Sequence, residues 1–190
     1  MLFSDEAGDV TLADLPYRPC VGIMVINWKG QIWIGQRVGT VGRRIDPGGN
    51  RWQMPQGGID DGEYPQTAAL RELAEETSMR TVEIVGECAE WLTYDLPTNL
   101  IGTAWGGRYR GQRQRWFAAR FLGSDAEIDI TAGPGREAEF DGWQWVPIEE
   151  VLDRIVPFKR DVYSRVIETF RPLAVPIDDR PVGVRGGVGA

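Results

Sequence analysis

Three glutamates, Glu72, Glu75 and Glu76, carry the clearest chemical signal in the chain. They fall in Gln66-Thr67-Ala68-Ala69-Leu70-Arg71-Glu72-Leu73-Ala74-Glu75-Glu76, a run rich in helix formers, with Pro65 suited to a first helical turn. At i, i+3 and i+4 the three carboxylates share one helix face, while Ala69, Leu70, Leu73, Ala74 and Thr77 gather on a core-facing sector. Like charges so spaced destabilise a helix by about a few tenths of a kcal/mol per pair unless something neutralises them. Arg71, four residues before Glu75, can do part of this. An arbitrary E-x-x-E-E is most often a solvated acidic face. Here it follows the loop Gln56-Gly57-Gly58-Ile59-Asp60-Asp61-Gly62-Glu63, which can bring backbone carbonyls and Glu63 to the same face. Hard oxygens from one helix and one loop suit Mg²⁺ that keeps water in its remaining positions. Such an ion bridges phosphate oxygens and helps generate an attacking hydroxide.

A second cluster has the opposite sign. Arg108, Arg110, Arg113, Arg115 and Arg120 fall in a stretch that contains no acid, whereas Asp60, Asp61, Glu63, Glu72, Glu75 and Glu76 crowd the first cluster. One end can hold a cation and the other an anionic ligand. The overall charge of −7 disfavours a protein that simply coats nucleic acid. The chain has no histidine, which removes Ser-His-Asp and Cys-His catalysis and every His-ligated metal. Cys20 and Cys88 are too few for a disulfide scaffold, and a reducing cytoplasm fits best. No apolar run is long enough to cross a bilayer, and the acidic N-terminus suits neither a secretion nor a transit signal, so no membrane partner is expected.

The elements that must position these groups can be read in outline. The 190 residues, 42% hydrophobic and 26% charged, suit one globular domain. Residues 1–15 read as a flexible acidic lead-in, 16–173 as the domain and 174–190, rich in Gly and Pro, as a disordered tail. Residues 17–34 read as a hairpin turning at Asn27-Trp28-Lys29-Gly30. Residues 38–51, glycine-rich with three arginines, read as a loop. Further strands are expected at 52–54, 81–86, 88–94, 115–122 and 143–147, and helices at 148–155 and 160–171. The irregular mixture suggests a mixed sheet flanked by helices.

Gly57, Glu63 and Arg71-Glu72-Leu73-Ala74-Glu75-Glu76-Thr77-Ser78-Met79 resemble the Nudix box, G-x5-E-x7-R-E-U-x-E-E-x-G-U, with U apolar. Every charged position is filled. The one departure is Ser78, where the family usually has glycine; it ends the helix, so turn geometry is what it threatens. The resemblance implies an α+β fold, an α/β/α sandwich around a mixed β-sheet, and hydrolysis of a nucleoside diphosphate linked to another group. It implies that Glu72, Glu75 and Glu76, with the carbonyl of Gly57, bind Mg²⁺, for which Mn²⁺ can substitute. Arg71 would orient the glutamates, and Gly58 and Glu63 would support the loop.

Blocks outside the box extend the resemblance across residues 16–173. Tyr17-Arg18-Pro19, Trp52-Gln53-Met54-Pro55-Gln56, Trp91-Leu92-Thr93-Tyr94-Asp95, Gly111-Gln112-Arg113-Gln114-Arg115-Trp116-Phe117, Glu139-Phe140-Asp141-Gly142-Trp143 and Phe158-Lys159-Arg160 are similar to one branch of the family. That branch holds RNA pyrophosphohydrolases and dinucleoside polyphosphate hydrolases, including the plant-type enzymes acting on diadenosine tetraphosphate. By this resemblance Glu139 reaches the metal centre as a further ligand or general base. Arg18 and Arg37 fall where the RNA enzymes contact the 5′ end, Gln56 lines the substrate site, and Phe158 with Lys159 forms a base-binding pair. Arg113 and Arg115 either contact phosphate or are solvated charges, and Gln112 and Gln114 could donate to phosphate oxygens. Tyr94 is either an aromatic platform or core filling. The expected substrates are 5′-triphosphorylated RNA and dinucleoside polyphosphates, with no DNA partner. Both substrates present several phosphates joined to a 5′ nucleoside, and one site can take either.

Overall fold

Seven consecutive buried residues, Cys20–Ile26, form the heart of strand β1 (Tyr17–Ile26). A run buried on both faces is what a central strand covered by two layers requires. The computed structural model describes residues 14–38, 51–98, 100–101, 103–131 and 137–177. After β1 come β2 (Ile32–Arg37), β3 (Trp52–Gln53), β4 (Gln56–Gly58), helix α1 (Pro65–Thr77), β5 (Val82–Glu87), β6 (Leu92–Asp95), β7 (Gly111–Phe121), β8 (Phe140–Val146) and helices α2 (Val151–Arg154) and α3 (Arg160–Phe170).

The strands form one mixed sheet. β1 runs parallel to β7 from Tyr17↔Gly111 to Ile26↔Arg120. Its other edge is shared: β4 pairs antiparallel along Cys20–Gly22, and β2 meets it at Ile26↔Ile32. β5 and β6 both pair with β7, and β3 and β8 with β2, all antiparallel. Alternation along β1 and β7 then divides two cores. Val21, Ile23, Val25, Phe117 and Ala119 pack beneath α1 with Ala68, Ala69 and Leu73. Met24, Ile26, Trp116 and Ala118 pack on the other face against Val162, Tyr163, Val166, Ile167 and Phe170 of α3. Helices on both faces of a mixed sheet make the expected α/β/α sandwich.

The expected hairpin forms, with Gly30 taking the turn's positive φ of 79°. The helix faces need one correction: α1 buries Ala68, Ala69, Leu73 and Thr77, while Leu70 and Ala74 are only half-buried. The run at 88–94 yields strand only from Leu92, and β7 starts at Gly111 rather than 115. Its first residues are polar because they line a cleft, so hydrophobic alternation could not reveal them. The helix expected at 148–155 is a 3₁₀ turn (Ile148–Glu150) followed by one α turn, ending before Pro157. The tail expected from residue 174 is packed as far as 177. Ile177 donates its N–H to the Trp28 carbonyl at 2.9 Å, and Arg120 donates to the carbonyls of Asn27 at 2.7 Å, Leu173 at 2.7 Å and Val175 at 3.3 Å. The rest of that tail, the lead-in up to residue 13 and most of the loop at 38–51 lie outside the described residues. Among the described residues no helix is long and apolar enough to cross a membrane.

Candidate active site

The α1 glutamates meet the loop at Gly57. A β-carbon there would stand 1.9 Å from the Glu72 carboxyl carbon, so only glycine lets this carboxylate lie against the β4 backbone. Arg71 is the hub of the junction. Its guanidinium donates to both carboxylate oxygens of Glu63 at 2.9 and 2.8 Å, to Glu72 at 2.8 Å and to the Gly58 carbonyl at 2.9 Å. It reaches Glu75 at 3.5 Å. The two-pronged bond holds the Glu63 carboxyl down at about 2, helped by the Asp60 N–H at 3.1 Å, and raises the Arg71 pKa still further.

The other box carboxylates are less well compensated. Burial raises the pKa of Glu72, against the pull of Arg71. Glu76 is raised well above the usual carboxylate range, first by burial and then by the nearby charge of Glu139, while the Gln56 N–H, 3.1 Å away, opposes the shift. Glu139 is itself ion-paired with Arg37 at 2.7 Å. Among the described residues no three carboxylates already surround one point as a finished metal cage. The donors nevertheless suit a hard divalent cation: all are oxygens, Gly57 leaves Glu72 room at the loop, and Glu72 and Glu76 carry charge that burial penalises. A cation would relieve that penalty.

On the α3 face of the sheet lies a polar group in an apolar wall. Lys159, buried, donates to Gln53 at 3.0 Å and Gln56 at 3.1 Å. Burial, with the nearby Arg37 charge, lowers its pKa to about 7. Gln112 accepts from Gln114 at 2.8 Å and from Gln56 at 3.4 Å, and the Trp116 indole N–H donates to Gln114 at 3.0 Å. Tyr94 and Phe158 stand side by side with ring centres 5.6 Å apart, and the Lys159 ammonium lies 5.7 and 6.0 Å from them. Tyr94 is buried, so of its two expected readings the core-filling one describes its environment, although its ring backs Phe158. Phe158 is only partly covered. Gln53 joins the group with no role assigned to it by the sequence; its signals are a polar residue between Trp52 and Met54 and its place in the Trp52–Gln56 block.

Arg18 reaches the same region, its guanidinium nitrogen 2.4 Å from where a Gly58 β-carbon would be. Arg113 and Arg115 do not. They alternate with Gln112 and Gln114 on β7 and point to the other face, where Trp91 lies 4.7 and 5.9 Å from their guanidiniums. Arg115 is further tied to Glu87 at 2.7 Å. The structure thus gathers Gly57, Gly58, Glu63, Arg71, Glu72 and Glu75 at one junction. Glu76, Glu139 and Arg37 lie beside it, and Gln56, Lys159, Tyr94 and Phe158 form the adjoining wall.

Residues 16–166 match the NUDIX domain family. A protein of Rhodopseudomonas palustris (strain BisB18) named RNA pyrophosphohydrolase is 55% identical over 162 residues, 85% of this chain and 91% of its own. One from Agrobacterium fabrum with the same name is 54% identical, covering 85% of this chain and 95% of its own. Among solved structures, an Ap4A hydrolase from C. elegans in a binary complex superposes with a TM-score of 0.56 at 17% identity, covering 82% of this chain and 98% of its own. The E. coli dihydroneopterin triphosphate pyrophosphohydrolase also gives 0.56, at 16% identity and with 80% and 98% covered. At such identities the two structures share the fold.

Proposed function

The chain belongs to the Nudix family, and from that membership we propose that it is a pyrophosphohydrolase acting on the polyphosphate chain at a nucleoside 5′ end. It removes pyrophosphate from 5′-triphosphorylated RNA, and the same site takes dinucleoside polyphosphates. The observation that carries this reading is the identity of more than half to proteins named RNA pyrophosphohydrolase along almost their whole length, with the box charges intact. The catalytic domain in this reading spans residue 16 to the end of the packed segment at 177. The two cysteines, free and buried, suit a cytoplasmic setting.

Family members generally use divalent metals, and here we assign Mg²⁺, with Mn²⁺ as a substitute, to Glu72, Glu75, Glu76 and the carbonyl of Gly57. When bound, the ion supplies charge neutralisation at the phosphates and acidifies a water. The protein's own residues do the rest. Arg71 holds Glu63 and Glu72 in fixed directions, so loop and helix keep their spacing when ligand arrives. Glu139, steadied by Arg37, serves as a further ligand or takes the proton of the attacking water. Arg18 contacts the 5′ end, and Lys159 stands beside Phe158 as the cation of the base-binding pair. Phe158 takes the base against Tyr94. Water attacks one phosphorus in line, the anhydride P–O bond on the far side breaks, and pyrophosphate or a nucleotide leaves.

Turnover of γ-labelled triphosphate RNA and of diadenosine tetraphosphate at equal Mg²⁺ tests the assignment, in wild type and Glu76→Gln. The substitution keeps size and hydrogen bonding and removes the charge. A loss of at least about a hundredfold on both substrates is expected, as for removal of a charge-stabilising group. Near-full turnover would remove Glu76 from the mechanism, and no wild-type release of labelled pyrophosphate would overturn the RNA reading.

A further inference from the structure

Most of the arginines in the acid-free stretch have structural partners. Arg110 pairs with Asp95 at 3.0 Å, Arg115 with Glu87 at 2.7 Å, and Arg120 is occupied by backbone carbonyls. Arg18 and Arg108 are matched with rings instead. The Arg18 guanidinium stands 5.6 Å from the centre of the Trp105 ring, and that of Arg108 stands 5.7 Å from the Tyr109 ring. The two pairs are joined. Trp105 and Tyr109 meet edge to face at 6.4 Å, and Arg108 donates to the Trp105 carbonyl at 3.3 Å.

The backbone is arranged to present this unit. Trp105 has φ 50° and ψ 34°, a left-handed conformation that L residues adopt only at a cost, and Gly106 and Gly107 follow at φ 67° and 73°. The indole packs against the same apolar cluster as Phe158, so it borders the α3-face cleft rather than the solvent side of the sheet. Arg18, at the other end of the unit, lies over Gly58 of the loop that meets the glutamate helix. Arg18, Trp105, Tyr109 and Arg108 therefore touch in that order, leading away from the site as two ring-and-guanidinium pairs joined through their rings. No carboxylate forms an ion pair with Arg18 or Arg108 among the described residues.

We propose that Arg18, Trp105, Arg108 and Tyr109 form a track for single-stranded RNA downstream of its 5′ end, one or two nucleotides beyond the base held at Phe158. The choice of ligand follows from the two ring-and-guanidinium pairs. Bases stack on exposed ring faces and phosphodiesters pair with guanidiniums, so a repeated ring-and-cation pair matches a chain with a phosphate between successive bases. The second nucleoside of a dinucleoside polyphosphate offers one base and no phosphate beyond it, and would use only the first pair. The inference rests on the RNA reading above and deepens it, because the track gives this enzyme a preference for length.

Two measurements test it. In turnover, a 5′-triphosphorylated octanucleotide should have a KM about fivefold or more below that of the 5′-triphosphorylated dinucleotide, the worth of one stacked base. Arg108→Gln, at an exposed position, and Tyr109→Leu should each shrink that ratio. Equal KM values for both lengths in wild type would overturn the track while leaving the RNA reading standing. Separately, fluorescence anisotropy with a 5′-hydroxyl octanucleotide, which carries no polyphosphate, should detect binding whose log–log salt slope falls by about 0.7 in Arg108→Gln. Salt-dependent binding that survives unchanged in Arg108→Gln and Tyr109→Leu would overturn the proposal. Absence of pyrophosphate release from either RNA would instead count against the catalytic reading, and the anisotropy result would still decide the track.

Discussion

The residue that departs from the box shows what a single position does here. Ser78 ends α1 with φ 62° and ψ −2°, its N–H bonded to the Ala74 carbonyl. This is the left-handed cap that glycine takes without strain, and a Cβ-bearing residue there costs about 1–2 kcal/mol. Part of that is regained because serine has less backbone freedom to lose than glycine. Ser78→Gly should therefore stabilise the fold by about 0.5–1 kcal/mol and raise Tm by roughly 1–4 °C in calorimetry, with turnover retained. A lower Tm would mean that the serine hydroxyl has a role the helix end does not reveal. The sequence identified this position and its consequence for turn geometry. Gly57 is the reverse case: its place in the motif was legible, but the need for a missing side chain emerges only where Glu72 presses on it.

Among elements, the junction of β3, β4 and the 3₁₀ turn Pro157–Lys159 makes the cleft wall. Lys159 is inserted there between Gln53 and Gln56, and its pKa near 7 has a consequence for stability. In the unfolded chain a lysine titrates near 10.4. Between about pH 7 and 10 the unfolded state thus binds more protons, and stability rises with pH; below about 7 both states are charged and the burial penalty is felt in full. Urea denaturation at pH 6 and pH 9 should show this rise in the wild type and a smaller one in Lys159→Met. Equal pH dependence in the two would place the ammonium in water. Alternation along β7 had a comparable effect on Arg113 and Arg115. Sequence spacing placed both on one face, but only pairing with β1 and β6 decides that the face holds Trp91 rather than the Lys159 wall.

At the scale of the whole molecule, the segment after α3 closes the fold over the β1–β2 turn. Arg120, buried in the sheet, is satisfied by carbonyls of Asn27, Leu173 and Val175, and Ile177 bonds to Trp28. Ending the chain at Leu173 removes two of these bonds, one of them to a charged group. A loss of about 2 kcal/mol and a Tm lower by roughly 4–8 °C are expected, with KM unchanged because the segment lies away from the cleft. An unaltered Tm would show that water replaces these partners. By itself the sequence determined the glutamate helix, the loop before it, the central hairpin and the absence of histidine chemistry, because each depends on residue types at short, regular spacing. Tertiary structure alone decided which arginines face the cleft and which brace the sheet. It also made Lys159 a buried cation and set Trp105 beside Arg18. Those outcomes depend on strand register and on layers meeting across the sheet, between residues as far apart as Gln53 and Lys159, and local spacing carries no record of such encounters.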